Sequence, residues 1–227
     1  KRGGKEKVAV DSPAAMERHV PEALQAPLRA FMFETESWLR PRAVAAALGY
    51  TQAPPDAGLA NGPGWRRLTA QVAPPGRLDV DLVCADLRGR LALLSRTDWL
   101  RLGLCVCVLP SCGQIQRSMD GHFRRVVRQL LDEEAMAGLD RMEALPAERP
   151  VDLSSPGAWR APEALAAAGL RAAMTQACRW TDPVRRRVEL HFEPDELAGP
   201  PAVGGLDMRW MEIACKALWP DHPWLWS

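Results

Sequence analysis

The run from Asp98 to Leu109, DWLRLGLCVCVL, sets the strongest limit on what this chain can fold into. At helical spacing Leu100, Gly103, Leu104, Cys107 and Val108 form one stripe, and Trp99, Leu102, Cys105, Val106 and Leu109 are apolar on the other side. A helix apolar all round has to be enclosed by other elements, so the pattern predicts a buried central helix with Thr97 as its N-cap. A membrane span would need roughly 20 consecutive apolar residues. Arg96, Asp98 and Arg101 interrupt any extension toward Leu91, so membrane insertion is not expected. The enclosing elements must come from the rest of the 227 residues, a length that allows one substantial domain or two small ones.

The remaining sequence supplies mostly helices. Residues 1–12 open with KRGGKEK and read as a disordered basic tail. Residues 13–49 read as an N-terminal helical segment: Leu24, Leu28, Phe31 and Met32 recur at helical spacing, and PRAVAAAL, from Pro41 to Leu48, starts with Pro in its first turn and stops at Gly49. Residues 50–64 are a Pro/Gly-rich loop, and 65–227 form the main helical domain. Within it Phe123, Val126, Val127, Leu130, Leu131, Leu139, Met142 and Leu145 predict a helix over 121–145, capped by Ser118 or Asp120. A second Pro-rich connection spans 146–160. An Ala-rich helix follows over 162–178, whose small side chains permit close packing and whose Leu165, Leu170 and Met174 face inward.

Val184 to Phe192, VRRRVELHF, alternates apolar and polar residues except at Arg186, which predicts a strand over 184–192. After a loop over 193–205, Leu206 to Trp219 reads as a helix with Trp210, Ile213, Ala214, Ala217 and Leu218 on one face, ended by Pro220. The fold class is mainly α with a minor β element (α+β), an irregular helical domain with Pro-rich loops.

Charge and chemistry narrow the function. With 29 basic and 28 acidic residues there is no global field to attract nucleic acid, so no nucleic-acid partner is expected. The six cysteines, Cys84, Cys105, Cys107, Cys112, Cys178 and Cys215, read as reduced thiols of a cytosolic protein. Cys105, Cys107 and Cys112 invite a metal reading. Positions i and i+2 of a helix diverge, however, so these read as small buried hydrophobes, and no metal or other cofactor is expected. Asp79 with Asp81, and Glu189 with His191, are pairs that an enzyme of unrecognised type would use, against solvated carboxylates at a helix start and the wet face of a strand. No phosphate-binding loop, G-x-S-x-G or H-E-x-x-H occurs. No catalytic residue is assigned.

Two groups remain as candidate protein-interface residues. Arg185, Arg186 and Arg187 offer guanidinium forks that match carboxylates on a partner. Trp219, Trp224 and Trp226 crowd the last nine residues of a chain with nine Trp, and either fold back over the core or anchor another protein.

The order of features resembles the SctK (YscK/HrpB-type) family of type III secretion over roughly residues 15–220. It is carried by Leu100-Arg101-Leu102-Gly103-Leu104 with its apolar continuation, the 121–145 helix, the loop around Trp159, the Ala-rich helix ending near Trp180, VRRRVELHF and the Cys215-containing helix. The resemblance implies a non-catalytic cytoplasmic adaptor of the injectisome sorting platform, peripheral to the inner-membrane apparatus. Its implied partners are the cytoplasmic domain of the inner-membrane ring protein (SctD-like) and the pod, or C-ring, protein (SctQ-like). The alternatives are a metal-assisted enzyme built on Asp79, Asp81 or the cysteines, and a regulatory or chaperone-like binding protein.

Overall fold

A computed structural model describes residues 13, 20–34, 37–50, 63–74, 78–109, 121, 125, 131–140, 162–199 and 204–226. The buried helix predicted from DWLRLGLCVCVL is present as α6, Arg96–Val108, with every residue from Leu102 to Leu109 buried. Its N-cap is Ser95 rather than Thr97: Ser95 Oγ accepts the Asp98 amide at 3.1 Å and donates to the Asp98 carboxylate at 2.6 Å. Ahead of it lie α1 (Glu22–Phe33), α2 (Pro41–Ala47), α3 (Pro63–Val72), α4 (Val80–Cys84) and α5 (Leu87–Leu91). After it come α7 (Glu133–Asp140), α8 (Pro162–Ala172), α9 (Asp182–Glu189), α10 (Pro194–Leu197) and α11 (Met208–Leu218).

The small residues of α8 let it approach α6 at backbone contact. A Cβ on Gly103 would collide with the Ala166 carbonyl and lie 2.7 Å from the Leu170 nitrogen, and one on Gly169 would lie 2.8 Å from Cys107 Sγ. Only glycine at both positions permits that crossing. The third wall around α6 is α11, which also takes α7 against it where Gly138 meets the Ala217 backbone. Past Ala172 the helical path widens into a π-type turn over Ala173–Cys178, and Arg179, with φ of 44°, ends it in the left-handed region.

The expected helix over 121–145 is interrupted. Gly121 and Arg125 are helical, but the chain bends at the buried Leu131, and Asp132 starts α7 afresh by accepting the Ala135 amide at 2.8 Å. Residues 141–145, the Ser118 and Asp120 caps, the tail 1–12 and the Pro-rich stretch 146–160 lie outside the described residues, as does 51–62 of the expected loop. α3 takes up the end of that loop and buries Trp65, Thr69 and Val72.

The predicted strand over 184–192 is helix α9, and no extended strand occurs among the described residues. Val184 and Val188, four apart, satisfy both a period of two and a period of 3.6. Position 187 separates the two readings: it is buried, three residues after Val184, as a helix requires. Pro183 sits in the first turn, where its missing N–H costs nothing. The expected 193–205 loop contains α10, closed by a capping box between Glu193 and Glu196.

Two hydrophobic clusters result. The main core gathers α1, α4 to α9 and α11 around α6. The second joins Leu39, Ala43 and Val44 of the α2 region to Trp65, Val72 and Ala73 of the α3 region, closing on Leu190. Trp38 packs against both. Among the described residues no helix is long and apolar enough to cross a membrane.

Candidate functional site

Helix α9 separates the three arginines by its own geometry. Arg185 and Arg186 are exposed, while Arg187, one residue on, points inward at 3% exposure. There it donates from Nη1 to the carbonyls of Phe31 (2.8 Å) and Met32 (3.2 Å) and from Nη2 to that of Pro74 (2.5 Å), with its guanidinium 5.6 Å from the centre of the Phe31 ring. Phe31 and Met32 lie in the last turn of α1, whose carbonyls lack intrahelical donors, and Pro74 follows α3, so one buried cation ties the end of α1 to the chain after α3. Burial pulls the Arg187 pKa down to about 10, so it stays charged at neutral pH.

The outer face is different. Arg185 Nε binds Glu189 Oε1 at 2.8 Å along the helix, whereas the Arg186 guanidinium has no ion pair or hydrogen bond among the described residues. Arg186 stands on a ridge between two clefts. One, of about 450 Å³, is floored by Ala43, Ala47, Leu190, Phe192, Pro194 and Leu197. The other, of about 330 Å³, runs along Val72, Ala73, Pro74 and Leu78. Asp182 and Arg186 border both. α10, which lends Pro194 and Leu197 to the first cleft, is fixed by two ion pairs and a hydrogen bond: Arg42 binds Asp195 at 2.9 Å, Arg96 binds Glu196, and Arg171 Nη1 donates to the Glu196 carbonyl at 2.7 Å.

The tail tryptophans are folded back. Leu225 is buried and its carbonyl accepts from Arg90 Nη1 at 3.2 Å, while Trp226 Nε1 donates to the Trp219 carbonyl at 2.8 Å. The Trp224 ring meets His222 edge-on at 4.6 Å, and Lys216 lies 5.6 Å from the Trp226 ring centre. All three Trp are half-buried against the main core, and none lines either cleft. The two candidate groups are thus not brought together in one cleft.

The other chemistry-bearing residues are dispersed. Asp79 caps α4 by accepting the Leu82 amide at 3.4 Å, and Asp81 is exposed in the same first turn. Glu189 faces Arg185 while His191 is buried, so they do not share a face. Cys107 Sγ donates to the Leu165 carbonyl of α8 at 3.4 Å, and Cys105 Sγ lies 4.0 Å from the Ala214 carbonyl of α11, so the two thiols point to different helices; Cys112 lies outside the described residues. Burial raises the Cys107 thiol to about 12 and Cys84 to about 11, and it also raises Cys178 and Cys215, so none is a thiolate at neutral pH. Among the described residues no group of three or more His, Cys, Asp or Glu side chains is placed to hold a metal ion.

His191, paired with Glu189 on the wet face of a strand in the sequence reading, is instead buried. It is 4% exposed, its ring centroid is 4.0 Å from that of Trp38 and 6.0 Å from that of Phe31, and neither ring nitrogen has a hydrogen-bond partner among the described residues. Burial first, then the charges of Arg187 and Arg40, lower its pKa to about 3, so it is neutral. Comparison with known protein families, with curated proteins and with solved structures finds no match in any of the three.

Proposed function

We propose that this chain is a non-catalytic adaptor of a type III secretion sorting platform, linking the cytoplasmic domain of an inner-membrane ring protein (SctD-like) to a pod protein (SctQ-like). The resemblance of the sequence to the SctK family supplies the identity of the machine and its compartment, the cytoplasmic face of the secretion apparatus. The observation that supports the binding role is the outer face of α9, where an exposed Arg186, whose guanidinium has no partner among the described residues, stands between two apolar-floored clefts. A fork-shaped cation beside apolar hollows is suited to recognising a protein surface. The thiols, by contrast, are held as neutral packing groups. Individually weak contacts suffice for such a role, because repetition around a ring raises the effective concentration of each contact.

The test is reconstitution. Purified full chain is mixed with the ring protein's cytoplasmic domain and with the pod protein, singly and together, and complexes are resolved by size-exclusion chromatography with light scattering. A ternary complex is expected. Binding to neither partner, alone or together, removes the adaptor reading.

A further inference from the structure

We infer that the saddle formed by Arg186 and its two flanking clefts takes a short acidic-apolar segment of a partner protein, with a carboxylate on Arg186 and neighbouring apolar side chains in the clefts. The inference deepens the adaptor reading and rests on it for the existence of a protein partner. Of the charges that border the saddle, Glu189 is bound by Arg185 at 2.8 Å, and Asp182 lies in the first turn of α9, where the helix's positive end offsets a negative charge. Asp182 and Arg186, one turn apart, form no ion pair with each other. What remains to be complemented is a cation with planar donors, for which a carboxylate is the matching fork. The apolar floors give that charge its context. Ala43, Ala47, Leu190, Phe192, Pro194 and Leu197 on one side, and Val72, Ala73 and Leu78 on the other, leave hollows of about 450 and 330 Å³ that can each accept bulky side chains. One segment crossing the ridge would therefore place an acidic residue between two apolar ones.

Selection of a displayed library of random twelve-residue peptides against the full chain tests this. Recovered sequences are expected to share Asp or Glu flanked by Leu, Ile, Met or Phe. A representative synthetic peptide is expected to lose at least tenfold in affinity on Arg186→Glu and on Ala47→Trp, which fills the first cleft. It should lose less than threefold on Arg209→Glu, an exposed arginine of α11 remote in sequence. Replacing the peptide's acidic residue by Arg is expected to restore binding to the Arg186→Glu protein. Thermal unfolding of each variant checks folding; should Ala47→Trp not fold, Arg186→Glu with the charge-reversed peptide decides alone. Peptides with no acidic residue in common, binding indifferent to Arg186→Glu, or Arg186-dependent self-association of the chain with no peptide binding overturns the inference. Ring and pod proteins that bind wild type and Arg186→Glu equally remove this site while leaving the adaptor reading; acidic peptides that bind while neither protein does remove the adaptor reading alone.

Discussion

At residue scale, two neighbours on one turn, Arg187 and His191, hold the joint between the clusters by opposite means. The Arg187 guanidinium is charged and has three carbonyl acceptors, while the His191 ring is neutral and has no hydrogen-bond partner among the described residues. Removing the arginine leaves the Phe31, Met32 and Pro74 carbonyls without their donor. Arg187→Met is therefore expected to cost about 3 kcal/mol in denaturant unfolding, with Arg187→Lys in between because a single ammonium cannot reach carbonyls in the same fork geometry. The histidine gives a pH signature. Its folded pKa, about 3, lies below the ordinary 6.5, so between those values the unfolded chain binds the extra proton. Its contribution is fully present above pH 6.5 and is lost as pH falls toward 3, on the order of 2 kcal/mol by pH 4.5. His191→Leu should remove that part of the slope and, by deleting two unpartnered ring nitrogens, should leave stability at pH 7 equal or higher. Urea titrations of both proteins from pH 4.5 to 7.5 measure it, and parallel slopes would refute the assignment. Neither inward role was legible in the sequence, because long-range carbonyls as distant as Phe31 and Pro74 leave no local mark, and a buried Arg goes against the ordinary distribution of charge.

At the scale of elements, periodicity was readable where apolar residues stood at positions that only a helix explains. Leu24, Leu28, Phe31 and Met32 in α1 and the apolar residues of α6 are of that kind, and all are buried except the half-buried Leu100. VRRRVELHF was not, because its two valines fit either period and its third inward residue is an arginine. The start of α7 at Asp132 was hidden for a related reason: apolar spacing carries on through a bend that only the capping carboxylate marks. α3 went unread because Trp65, Thr69 and Val72 follow a Pro/Gly-rich stretch and include a polar residue. Close helix approach, on the other hand, is written in glycine. Gly169→Ala drives a methyl into the Gly103 backbone and Cys107 Sγ, and should destabilise by about 3 kcal/mol or more. Gly64→Ala, in an exposed part of α3 with nothing within 4 Å of the added carbon, should instead gain about 0.5 kcal/mol from reduced chain entropy. Thermal melts of the pair check both signs, and equal shifts would contradict the packing at the α6–α8 crossing.

At the scale of the whole molecule, the candidate docking face stands where the smaller cluster meets the larger. Its clefts are floored by α2 and the end of α3 on one side and by α9, α10 and the chain between them on the other. Among the described residues, the links between the halves include the Arg187 bond to the Pro74 carbonyl, the Arg40 amide on the Leu190 carbonyl at 3.0 Å, the Arg42 pairs with Glu193 and Asp195, and Trp38 lying across both clusters. Among the described residues the smaller cluster buries fewer side chains than the main core, so its opening should need less free energy than unfolding of the core around α6. Native-state hydrogen exchange is expected to show amides of α2 and α3 opening at lower denaturant than those of α6 and α8. Arg187→Met should accelerate exchange in α2 and α3 at least tenfold while leaving the α6 opening energy lowered only by the global loss of stability. Gly169→Ala should do the reverse, lowering protection in α6 and α8 directly. If α2, α3 and α6 instead exchange through one common opening in every variant, the two clusters are a single cooperative unit, and the docking face is as rigid as the core that supports it.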